Sequence, residues 1–203
     1  MDGTLLDSVA VQLESYRLAI VESGGRDHSH EEILESFTIG PAAMMLEALI
    51  ERPVGAQAVT RYEAHLRERA VHVQPYGGIT AALLELSTRF RLGVFTAADT
   101  GAAEMLLAAT ELRAFFDVVI GGDLAARSKP APDGLLLACE ALDARPPHAA
   151  YVGDGPSDMA VARACGALGV AAGWGHQFVA DREADVIAAT PDELVRLLVD
   201  GAA

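Results

Sequence analysis

From Pro75 onward, short apolar runs alternate with stretches of helical period, and no other feature of the sequence limits the fold as much. The runs lie at 92–96, 118–121, 150–153 and 169–172. Each is apolar and bounded by Gly or polar residues, as strands buried on both faces of a parallel sheet are. Helical stretches fall between them, at 78–87, 101–109, 132–142 and 157–165. A last helix opens at Thr190-Pro191-Asp192-Glu193, which supplies an N-cap, a proline at the first helical position and an acid at the third. This alternation predicts an α/β fold built on a doubly wound parallel sheet.

The first 75 or so residues read differently. Val9, Leu13, Tyr16 and Ile20 form one apolar helix face, which Ser23-Gly24-Gly25 ends. Ser29 with Glu32 predicts a capping box for a second helix. Pro41 fits the first turn of a third, which must stop before Pro53, and Val59, Tyr62 and Leu66 mark a fourth. Four short helices predict a small α-helical domain over 8–74, inserted into an α/β core of 1–7 and 75–203.

Charge and composition remove several partners. With 203 residues and a net charge of −14, the chain is a poor match for nucleic acid or an anionic membrane surface. No apolar run reaches the roughly 18 residues of a membrane span, and the start MDGTLLDSVA lacks the marks of a signal peptide. Two cysteines, Cys139 and Cys165, make no disulfide framework, so the cytoplasm is the expected compartment, with the chain a monomer or homodimer. Of 15 basic residues one alone, Lys129, is lysine. In a chain that otherwise uses arginine, this points to a position that needs a compact point charge rather than a planar fork.

In doubly wound sheets, ligands bind at the carboxyl ends of the strands. There the sequence places Thr96, the segment Ser128-Lys129-Pro130 and the segment Gly153-Asp154-Gly155-Pro156-Ser157-Asp158, with Asp2-Gly3-Thr4 at the start of the chain. Clustered carboxylates repel unless a cation joins them, and hard oxygen donors suit Mg²⁺ with waters and a phosphate completing its shell. A lysine and a threonine hydroxyl beside that ion would hold phosphate oxygens. The residues by themselves predict a Mg²⁺-dependent site for phosphoryl transfer, acting on a small phosphorylated metabolite.

These segments resemble the four motifs of the haloacid dehalogenase-like hydrolases, in order and over almost the whole chain. Asp2-Gly3-Thr4 is similar to the end of the first motif, Asp-x-Asp-Gly-Thr. Thr96 is similar to the second, Lys129-Pro130 to the third, and Gly153-Asp154 through Asp158 to the fourth. The helical insert resembles the cap of the phosphoglycolate phosphatase-like branch. The resemblance implies a phosphatase working through an aspartyl phosphate. In it Asp2 is the general acid/base and a Mg²⁺ ligand through its carbonyl, and Thr96 binds a phosphoryl oxygen. Lys129 offsets charge, Asp154 ligates Mg²⁺, and Asp158 holds a metal-bound water or Lys129. Asp2 argues against the dehalogenases, which lack that residue, and a helical segment without lysine argues against the Schiff-base phosphonatases. Sugar-phosphate mutases share the same motifs and stay open as an alternative.

The register of Gly3-Thr4 puts the family's nucleophilic aspartate directly before Met1. With it would come the middle strand of the sheet, whose absence would leave two half-sheets, each unpaired buried group costing about 1–3 kcal/mol. The expectation is that the native chain starts upstream. The rival is a non-catalytic chain that keeps a phosphate and Mg²⁺ pocket and is inactive as written. Among other residues, Thr38-Ile39-Gly40-Pro41 would face the site or serve as a plain helix turn. Arg17, Arg52 and Arg61 are candidates for a second anionic group, read first as solvated. Trp174 and both cysteines are expected in the core, His176 at the surface, Asp7 as a local cap and His28-x-His30 in a polar loop.

Overall fold

The computed structural model describes residues 1–180 and 183–201. The α/β segment carries parallel strands as the alternation predicts. Strand β3 (Gly93–Phe95) pairs in parallel with β4 (Val118–Ile120). Strands β5 (Ala150–Gly153), β6 (Leu168–Ala172) and β7 (Val186–Ala188) form a second parallel group. Among the described residues these are two separate sheets rather than one. The side chain of Tyr151 in β5 spans the space between them, its hydroxyl 3.1 Å from the carbonyl of Phe95 in β3. Strand β7 is an addition to the sequence reading; it is short and its middle residue, Ile187, is exposed.

Two further strands of two residues each, β1 (Leu6–Asp7) and β2 (Gln74–Pro75), pair antiparallel where the chain enters and leaves the helical segment. Asp, Gln and Pro are poor strand formers, so nothing in the sequence marks this ribbon. It corrects the reading of Asp7, which is an exposed strand residue and not a helix cap.

The helical segment comprises α1 (Val9–Glu22), α2 (His30–Glu35), α3 (Ala42–Ile50) and α4 (Ala56–Arg69). Ser29 and Glu32 form the expected capping box on α2. His28, expected in a polar loop, is buried with Nε2 2.8 Å from the Leu49 carbonyl. The α/β segment adds α5 (Ile79–Leu86), α6 (Thr100–Ala109), α7 (Asp133–Ala141), α8 (Pro156–Cys165) and α9 (Pro191–Asp200). Thr190 caps α9 by accepting from the Glu193 amide at 3.2 Å. Helix and strand ends fall within a residue or two of the sequence reading, as such boundaries do.

One apolar cluster runs without a break from the helical segment to α6, through Tyr62, Leu66, Leu106 and Leu107, all fully buried. Each such leucine contributes about 1.5–3 kcal/mol by leaving water, so these contacts fix the helical segment over the sheet edge. A second cluster, with Phe95, Ile120, Leu135, Tyr151 and Val161, lies against α7 and α8. Cys139 belongs to it, whereas Cys165, also expected in the core, is only half-buried at the last turn of α8.

Candidate active site

The strand ends and the start of the chain meet around one cavity of about 250 Å³. Asp2, Thr96, Lys129, Asp154 and Asp158 all line it, so every site residue read from the sequence is brought together. A larger open cleft of about 490 Å³, between α1 and the end of α4, holds none of them and has no chemistry comparable to theirs.

Lys129 leaves the loop before α7 through a cis peptide bond to Pro130. Its ammonium lies 2.7 Å from Asp158 Oδ1 and over the rings of Phe95 and Tyr151, at 4.7 and 5.3 Å from their centroids. Burial works against the charged amine, but the Asp158 carboxylate and Tyr151 outweigh it, and the pKa stands above the usual lysine value. Burial would likewise raise Asp158, but Lys129 and the Gly155 amide (3.1 Å) hold its carboxyl below the usual range. The pair is therefore fully charged at neutral pH. This is a stricter fit than a fork-shaped guanidinium allows, since the cation must sit within one hydrogen bond of Asp158 and against two rings.

Asp154 follows β5 and is buried. Its Oδ1 accepts from Thr4 Oγ1 at 3.0 Å, and its Oδ2 accepts from the Gln177 amide at 3.0 Å, with His176 Nδ1 at 3.5 Å. Gly3 has a φ of +76°, and a Cβ there would run into the Asp154 carboxylate and the His176 ring. Glycine at position 3 thus serves both the turn and the close approach. The turn after β6 closes this corner, with Trp174 Nε1 donating to the Thr4 carbonyl at 2.8 Å. Trp174 is only partly buried and acts as a clasp. The His176 residue is exposed as expected, yet its ring lines the cavity.

Thr96 follows β3, is buried, and has its amide bonded to the Ile120 carbonyl at 3.0 Å. The Ala98 amide donates to its hydroxyl oxygen at 3.3 Å. Asp2 presents its carboxylate to two side chains absent from the sequence reading. Ser8 Oγ and Gln12 Nε2 both donate to Oδ1 at 2.5 Å. Ser8 stands at the N-cap of α1, but its hydroxyl goes to Asp2 and not to its own helix. Gln12 lies one turn later on the same face. The i, i+4 spacing was visible in the sequence; the partner it serves was not.

The helical segment supplies the opposite wall through Tyr16, Phe37, Gly40 and Met45. Of the loop Ile39-Gly40-Pro41, Gly40 lines the cavity; the side chain of Thr38 lies outside what is described. This loop is held by a residue that sequence reasoning missed. Asp99, at the N-cap of α6, accepts from the Ala42 amide at 2.8 Å, capping α3 in place of its own helix. Burial, with Asp123 adding like charge, raises the pKa of Asp99. The three arginines considered for a second anion are placed elsewhere. Arg17 pairs with Glu14 and Asp27, while Arg52 and Arg61 donate to the carbonyl and hydroxyl of Ser23.

Among the described residues, no three His, Cys, Asp or Glu side chains gather as a metal-binding set. Asp158, counted among the metal ligands from the sequence, bonds Lys129 and the Gly155 amide, and Asp154 bonds Thr4 and the Gln177 amide.

The profile of the haloacid dehalogenase-like hydrolase family matches residues 1–172. The phosphoglycolate phosphatase of Aquifex aeolicus is 26% identical over 203 residues, covering 98% of this chain and 93% of that protein. The phosphoglycolate phosphatase of Xanthomonas campestris is 30% identical over 205 residues, covering 96% and 91%. Among solved structures, CbbY from Rhodobacter sphaeroides in complex with phosphate shares the fold with a TM-score of 0.84, at 22% identity over 96% of this chain and 93% of that one.

Proposed function

The chain belongs to the haloacid dehalogenase-like hydrolases, and from that premise we propose that it is a Mg²⁺-dependent phosphatase of a small phosphomonoester. Its relatives named phosphoglycolate phosphatase support the phosphatase reading over nearly their whole length. One observation carries it to the residues. A fully charged Lys129–Asp158 pair, the Thr96 hydroxyl, and the carboxylates of Asp2 and Asp154 line one cavity.

In this reading the helical segment is a cap over the core. The donor set fits Mg²⁺: the hard oxygens of one carboxylate and one backbone carbonyl leave room for the waters and phosphate oxygens this ion keeps. Asp154 would hold it by its carboxylate and Asp2 by its backbone carbonyl, and the bound ion would offset the negative charge of the phosphate. Lys129 and Thr96 hold phosphoryl oxygens, and Asp158 fixes Lys129. Asp2, oriented by Ser8 and Gln12, gives its proton to the leaving oxygen as the phosphorus–oxygen bond breaks. It then takes a proton from the water that attacks phosphorus in the second step. The nucleophile of the first step is proposed as an aspartate directly before Met1, by the register of Gly3-Thr4. No described helix is long and apolar enough to cross a membrane.

The test is the protein purified from its own source, examined by intact mass and N-terminal peptide and then assayed for phosphate release from p-nitrophenyl phosphate. An aspartate before Met1 together with release that needs Mg²⁺ is the expected result. That aspartate present, with no release from any phosphomonoester, overturns the proposal.

A further inference from the structure

The two walls of the cavity differ in charge. Among the described residues, two side chains around it can carry positive charge: Lys129 and the His176 ring. Both lie on the core side, and each faces a carboxylate already there. Lys129 is bonded to Asp158, and His176 lies 3.5 Å from Asp154. The wall from the helical segment is of another kind. Tyr16 and Phe37 meet with ring centroids 6.1 Å apart, and Met45 is buried beside them. Tyr16 is stacked on Tyr62 with ring centroids 4.0 Å apart, and both are almost fully buried. The amide nitrogen of Gln12 is committed to Asp2 and Ser8. Arg17, Arg52 and Arg61 are bound to other groups of the helical segment, and none lines the cavity.

The phosphate end of a substrate goes to the core wall, so its leaving group meets the aromatic wall. A carboxylate or second phosphate placed there would lose water without gaining a cation among the described residues. An apolar group would gain by leaving water against the rings and the thioether. We infer that the preferred leaving group is an uncharged alcohol with an apolar face, aryl or alkyl, and not one bearing a second anion. The inference rests on the phosphatase reading and narrows it. It also separates this chain from the substrate in its relatives' names, since phosphoglycolate carries a carboxylate. A cavity of about 250 Å³ keeps that alcohol small.

Binding tests this without turnover. Calorimetry on the chain in Mg²⁺ buffer compares inorganic phosphate, benzylphosphonate and 3-phosphonopropionate, the last with a carboxylate where phosphoglycolate has one. The expected order is benzylphosphonate tighter than 3-phosphonopropionate by at least about ten-fold. Equal or tighter binding of 3-phosphonopropionate overturns the inference and leaves the phosphatase reading standing. No binding of any of the three overturns the reading itself. Phe37→Arg places a cation on the apolar wall and is expected to reverse the order, a gain that misfolding cannot imitate. Met45→Lys serves the same purpose should the first variant not fold, and an unchanged order in a folded variant counts against the wall as the selector.

Discussion

The core wall and the helical wall of the cavity are built on opposite principles. On the core side every charged group has a partner: Lys129 with Asp158, Asp154 with Thr4 and the Gln177 amide, Asp2 with Ser8 and Gln12. On the helical side, apart from Gln12, whose amide serves Asp2, the surface is ring, thioether and backbone, from Tyr16, Phe37, Met45 and Gly40. Groups that must hold or move charge are fixed by hydrogen bonds, which tolerate little displacement. Groups that select by shape need only area and can change without disturbing the chemistry. Core substitutions should therefore alter whether the site works, and helical ones which ester it takes.

The largest expected effect is at Lys129. Replacing it by Met strands the Asp158 carboxylate in the interior and should cost about 3–5 kcal/mol of stability, read by denaturant unfolding. Lys129→Arg keeps the charge, and in the chain carrying the upstream aspartate turnover should fall about a hundred-fold or more. Wild-type turnover in that variant would break the claim that the core wall is set by geometry as well as charge. Next comes Asp154→Asn, which should weaken the dependence on Mg²⁺ measured by titration of the metal; an unchanged midpoint would remove Asp154 from the ligand set.

Asp99→Ala tests the seam between the walls. Removing the acceptor of the Ala42 amide should cost about 0.5–2 kcal/mol, as loss of a helix cap does, and should raise KM more than it lowers kcat. An effect on kcat alone would mean that Asp99 belongs with the chemistry. The smallest effect is at the outer face of the helices. Glu14 is held to a pKa of about 2, against 4.5 for the free group, first by its hydrogen bond from Arg17. Its contribution is present above pH 4.5 and is lost as pH falls towards 2. The pair is only partly buried at the surface, so Glu14→Gln should cost less than about 1 kcal/mol near neutral pH. The difference from the parent should shrink in that acid window, and a difference that grows there would contradict the pairing.

Much of the core wall was legible in the sequence, because strand-end positions are marked by the end of an apolar run and by turn residues. Thr96 and Asp154 follow directly on β3 and β5, whereas Lys129 precedes α7 and Asp158 lies in the first turn of α8; the single lysine stood out by count alone. Ser8, Gln12 and Asp99 were not legible in their roles. Each reads as an ordinary helix-start residue, and only the fold shows that Ser8 and Asp99 turn their side chains away from their own helices. Tyr151 looked like one more residue of a buried strand; its hydroxyl reaches across to Phe95 because the two sheets stand apart.

The sequence by itself determined the order of elements, the helix starts at Ser29 and Thr190, and the chemistry available at the strand ends. These depend on local periodicity, capping and residue type, which are written residue by residue. The tertiary structure alone decided the pairing of β1 with β2, the partners of Asp2, the reach of Asp99 to α3 and the uncharged helical wall. β1 with β2 and Asp99 with α3 join parts of the chain far apart in sequence, and the clasp of Trp174 on Thr4 spans 170 positions. No local pattern encodes them, because their energy exists only once the intervening chain has packed.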